Sequence, residues 1–173
     1  MTECWHVLRC KPSEVEPVRE GDVHGATTLL AALPYEAGTT VCRVRLHGAR
    51  QAEHRNVLRG TRRELVWAVD AADAFRDVAE TIAMQVAPLR SGTGRHTFLT
   101  AHRLPVNKPE SAADAVRVAF RSAVYPDDYG ALRGVIYHAR LAMEMAGRRT
   151  DELEDEWSGM LEQEVMSYAP PRH

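Results

Sequence analysis

From Thr40 to His47 apolar and polar side chains alternate one for one. Cys42, Val44 and Leu46 fall on one face and Arg43, Arg45 and His47 on the other, the period-two pattern of a half-buried strand. A shorter alternation runs from Cys4 to Cys10 and ends at Lys11-Pro12, and a third carries Leu65, Trp67 and Val69 on one side of a strand over Arg63 to Val69. The short intervals before this third run favour antiparallel neighbours over crossovers, which need a dozen or more residues. Between them, Val23 to Leu33 has helical composition before Pro34 stops it, and residues 49–60 fit either a returning strand or a helix closed by Gly60.

The period then changes. Phe75, Val78, Ala79, Ile82 and Val86 recur at helical spacing behind Asp70, a good N-cap, and Pro88 closes the segment. After a Ser91-Gly92-Thr93-Gly94 turn, His96 to Leu104 reads as a further strand. Ser111 with Asp114 three residues on has the form of a capping box, opening a helix through Ala123. Leu132, Val135, Ile136, Ala139, Met143 and Ala146 form one stripe that stops at Gly147; Leu153, Trp157, Met160, Leu161, Val165 and Tyr168 form another, with Thr150 at its start. The short link between the two predicts an antiparallel pair.

Together these elements predict an α+β protein: an antiparallel sheet of four or five strands with helices packed on one face and a C-terminal antiparallel helix pair. A single domain is expected over residues 1–173, strand-rich over 1–105 and helical over 111–169.

Charge adds what periodicity does not. The chain is nearly neutral overall, with 22 Lys and Arg against 24 Asp and Glu, so no global field drives attachment to DNA or membranes. Locally the charges separate. From Arg43 to Arg63 there are seven arginines and two histidines against Glu53 alone; from Thr150 to Glu164 there are seven acids and no base. Three readings fit this segregation: two unrelated solvated faces, the acidic helix of one subunit docked on the basic strands of another, or a basic sheet face that binds an external anion.

Motifs for chemistry are sparse. No Cys-x-x-Cys, His-Glu-x-x-His or Gly-x-Ser-x-Gly pattern is present, and His96 and His102 would lie roughly 20 Å apart on one strand, too far to share a metal ion. Cys42 sits on an apolar strand face, where burial makes a thiol inert. Gly92-Thr93-Gly94 lies between a helix and a strand, the reverse of the order that aims helix-terminal amides at a phosphate. Asp127 and Asp128 beside Tyr125 and Tyr129 pair two carboxylates, which also serve simply to cap the helix that follows.

The expectation is therefore a non-catalytic cytoplasmic binding or assembly protein. Arg43, Arg45, His47, Arg55, Arg59, Arg62 and Arg63 would form an Arg-rich strand face toward an acidic protein surface or a phosphate-bearing ligand, without metal or cofactor. A homo-oligomer through the acidic C-terminal helix fits the same pattern, whereas sequence-specific nucleic acid and membrane do not. Three cysteines, an odd number, suit a reducing cytoplasm. The alternative is a small enzyme using His96 or His102 with a carboxylate for acid-base chemistry in a pocket between sheet and helices.

Overall fold

The computed structural model describes residues 1–52, 56–90, 109, 111–124 and 128–171. They fall into two compact units, residues 1–74 with 158–173, and residues 75–157.

The first unit is built on five antiparallel strands: β1 (Thr2–Leu8), β2 (Val18–Ala26), β3 (Thr40–His47), β4 (Arg50–Gln51) and β5 (Val57–Asp70). Their order is β2-β1-β3-β5-β4, and β2 also pairs with β5, so the sheet curls round and four strands close into a ring. The closure is uneven. β2 runs along β5 from Val18↔Glu64 to Ala26↔Val57, but meets β1 only at Trp5↔Ala26. On one face of the curled sheet Cys4, Val23, Cys42, Val44 and Leu46 form a buried cluster. On the opposite face Trp5 and Trp67 meet edge to face with ring centroids 5.8 Å apart.

Two irregularities set which side chains face in. Between Glu20 and Val23 the β2–β5 register shifts beside Gly21, whose φ of +104° few other residues tolerate. In the β3–β5 ladder Arg43 opposes Trp67 but Val44 opposes Leu65, so Val66 is an extra residue and bulges outward, exposed.

The fold differs from expectation in three places. The first strand starts at Thr2 and ends at Leu8, rather than running Cys4–Cys10. Val23 to Leu33 is not a helix: its first half is the end of β2, and only Leu29–Ala32 (α1) is helical, capped where Thr28 Oγ1 accepts from the Ala31 N–H at 3.3 Å. Sheet pairing overrides the helical composition because Gly25 lets β2 pass close to Cys4; a Cβ there would collide with the Cys4 sulfur. Residues 49–60 resolve as strand at both described ends, and the expected Arg63–Val69 strand is part of the longer β5. The strand expected over His96–Leu104 lies outside the described residues.

The second unit is helical. It holds most of α2 (Ala72–Val86), α3 (Ala112–Ala123), α4 (Asp128–Met145) and the first half of α5 (Asp151–Ser167). The α2 stripe Phe75, Val78, Ala79, Ile82 and Val86 is buried throughout, and Asp70 caps the helix by accepting from the Ala72 N–H at 3.1 Å. Ser111 Oγ accepts from the Asp114 N–H at 3.2 Å, as the capping pattern predicted. Gly147, at φ +68°, ends α4 in a left-handed turn: its own N–H donates to Glu144 and that of Arg148 to Met143. Across that turn Arg140 and Glu154 tie α4 to α5 at 2.7 Å. The Trp157 indole N–H donates to Gln85 at 2.7 Å, which in turn donates to Glu156 at 2.8 Å, fastening α5 to α2. Among the described residues no helix is long and apolar enough to cross a membrane.

Candidate functional site

The arginines of the basic segment do not share one face. Arg43, Arg45, His47 and Arg62 project from the outer surface of β3 and β5, where they are interleaved with two carboxylates. Arg45 Nε donates to Glu3 at 3.3 Å, while Arg43 lies 3.5 Å from the same carboxylate with its guanidinium 4.6 Å above the Trp5 ring. Glu64 stands 3.2 Å from His47 and 2.6 Å from Arg62. Burial pulls the Glu3 carboxyl upward, but Arg45 and Arg43 outweigh it and hold its pKa below the ordinary value. His47 first, then Arg62, does the same for Glu64. This surface is a lattice of alternating charge.

Arg59 lies off that lattice, with His24 of β2 directly opposite it on one side. It sits on β5 directly opposite Arg50 on β4, a like-charged cross-strand pair, with both side chains exposed. Neither makes an ion pair or hydrogen bond with any described residue. Arg55 lies outside the described residues.

Arg63 turns inward. It opposes Leu46 on β3 and Arg19 on β2, points to the face that holds Cys42 and Val44, and is only 5 % exposed. Burial lowers its pKa from the usual arginine value, yet its guanidinium forms no hydrogen bond or ion pair with a described residue. Its neighbours are histidines. His6, opposite Cys42 on β3 and itself 5 % exposed, meets the His24 ring edge-on at 5.2 Å, and His24 meets Tyr35 at 5.4 Å. Burial pushes the His6 pKa down to about 3, helped by the positive charge of Arg63, and the same two causes lower that of His24, so both rings are neutral at pH 7.

No known protein family, curated protein or solved structure matches the chain.

The acidic helix is largely engaged by its own chain. Glu162 accepts the Leu29 N–H at 2.9 Å, Glu154 pairs with Arg140, Asp151 with Arg149, and Glu156 accepts from Gln85. Among the described residues no three His, Cys, Asp or Glu side chains are grouped to hold a metal ion. The three cysteines are free thiols, and burial raises the pKa of Cys4 to about 11 and of Cys42 to about 12, which removes both as nucleophiles at neutral pH. His96, His102, Gly92 to Gly94, Tyr125 and Asp127 all lie outside the described residues.

Sequence reasoning did not assign Arg19, His6 or His24 to a binding site. The signal available was parity: His6 shares the face of Cys4 and Leu8, and Arg63 that of Leu65, which places charged and polar groups on apolar faces.

Proposed function

We propose that the chain is a non-catalytic binding protein that engages an acidic protein surface through the β4–β5 hairpin and the neighbouring outer strand surface. The observation that carries this reading is the Arg50↔Arg59 pair. Like charges placed directly opposite destabilise a hairpin, and these two have no acceptor among the described residues to offset that cost. An acidic partner would supply one.

Two features favour protein over nucleic acid as that partner. Glu3 and Glu64 interrupt the basic surface and would repel a continuous phosphate backbone, whereas a mixed-charge protein surface can meet both signs. The aromatic rings of the strands, Trp5 and Trp67, are 3 % and 7 % exposed and offer no platform for stacking bases. The carboxylates of α5 bonded within the chain favour a foreign partner over a second copy's α5. Three free cysteines fit a reducing, cytoplasmic setting.

Fluorescence anisotropy of a labelled oligoglutamate peptide tests the reading. Replacing Arg50 and Arg59 together by Glu should weaken binding by about tenfold or more, with a shallower salt dependence. Unchanged affinity in that variant would remove the hairpin from the proposal. Arg43 is a poor choice for such a test, since it also packs on Trp5 and its loss perturbs the sheet itself.

A further inference from the structure

Taking a charged group out of water without giving it an acceptor is among the costliest arrangements in a fold, and native proteins avoid it unless something else completes the site. Arg63 stands close to that position: it is 5 % exposed and unpaired among the described residues, and its nitrogens are not among the wholly enclosed ones, so what little opening its N–H groups have is toward the seam. The carboxylates that act on it, Glu16 and Glu36, do so at longer range and form no ion pair with it, and Glu36 instead accepts the Arg9 backbone N–H at 3.2 Å.

The topology explains why a site exists there. β1 and β2 are joined at Trp5↔Ala26, while Val18 to Glu20 pair with β5 and not with β1. The ring of strands is therefore unzipped along this seam. Arg63 has Arg19 directly opposite it on β2, a second like-charged cross-strand pair, and the rings of His6 and His24 stand together beside them. Each neutral imidazole carries one N–H donor. The seam thus gathers two guanidinium forks and two ring donors, a donor set with no acceptor of its own.

We propose that this seam binds a small tetrahedral oxyanion, inorganic phosphate or a phosphate group on a small molecule, with Arg63 and Arg19 as the principal ligands and His6 and His24 as further donors. A planar carboxylate fills one fork; a tetrahedral oxyanion has enough oxygens to meet two forks and a ring N–H together. Arg63 and His6 belong to the face opposite the outer lattice of charges, and the site does not depend on the acidic-partner reading.

The test is a titration of inorganic phosphate into the whole chain at pH 7 and constant ionic strength, with acetate and chloride as comparison anions. The readouts are the melting temperature and the ring resonances of His6 and His24. Phosphate should raise the melting temperature saturably and shift both rings, and acetate should do so far less. Arg63→Met should abolish the phosphate response and, by removing a buried unpaired charge, melt no lower than the wild type without phosphate. Arg19→Gln, at an exposed position, should weaken phosphate binding about tenfold with little change in the phosphate-free melting temperature. Replacing Arg50 alone by Glu should leave the response intact, which separates this site from the hairpin; Arg59 is kept because it lies directly opposite His24. No saturable response in the wild type, as expected if water alone serves Arg63, overturns the proposal; so does a response that survives Arg63→Met, or one that acetate reproduces in full. Should Arg63→Met not fold, Arg19→Gln and the ring resonances decide: unaltered phosphate affinity and unmoved rings overturn it equally.

Discussion

His6 makes stability depend on pH in a window where few other groups titrate. In the unfolded chain its imidazole takes a proton near pH 6.5; in the folded chain burial first, then Arg63, His24 and Arg19, hold the proton off until about pH 3. The unfolded state therefore binds more protons as pH falls between those values, and folding weakens as the solution is acidified. Linkage gives a loss of about 2 kcal/mol between pH 7 and pH 5, and about 3 kcal/mol by pH 4. Above pH 5 most carboxylates, including the depressed Glu3 and Glu64, stay ionised in both states, so the upper part of the window reports on histidine. His24, whose pKa is also lowered, adds to the same slope. The assay is urea denaturation at half-unit intervals from pH 7 to pH 5 in a phosphate-free buffer, on the wild type and on His6→Leu. The variant should lose much less stability over the interval, whatever its stability at pH 7. Parallel slopes for the two proteins would show that His6 is not held neutral by its surroundings, and the account of the interior around Arg63 would fail with it.

Two smaller perturbations probe the scaffold. Gly25→Ala should cost about 1–3 kcal/mol in chemical denaturation, because the added methyl has to displace the buried Cys4 side chain; an unchanged midpoint would mean that β2 does not pass as close to β1 as described. Glu162→Ala should cost about 1 kcal/mol by removing the acceptor for the Leu29 N–H, while Glu162→Gln should keep most of it, so equal losses in both would assign the effect to charge and not to this bond.

Much of the architecture was legible because local chemistry and tertiary environment agree. The Thr40–His47 alternation became β3 with Cys42, Val44 and Leu46 essentially inaccessible; Ser111 and Gly147 mark helix ends through contacts of a few residues. The errors fall where the environment decides. Nothing local forbids a helix at Val23, since the close approach of Gly25 to Cys4 exists only after β1 and β2 meet. The seven-residue basic set failed as a single face for the same reason. Leu65 and Trp67 share a parity along the chain, yet the extra residue Val66 sends them to opposite faces and leaves Arg63 inside with Leu65. A bulge changes parity without leaving a hydrophobic signature, so strict alternation reads through it. Arg62 and Arg63, adjacent in sequence, consequently belong to two different surfaces.

That separation can be observed directly in the guanidinium Nε–H spectrum of the uniformly nitrogen-labelled protein during titration with oligoglutamate. The account predicts that the Arg50 and Arg59 signals move with increasing peptide while that of Arg63 stays in place. Movement of Arg63 with the peptide, or stationary Arg50 and Arg59 in a protein that binds it, would contradict the assignment of the hairpin as the surface an acidic partner meets.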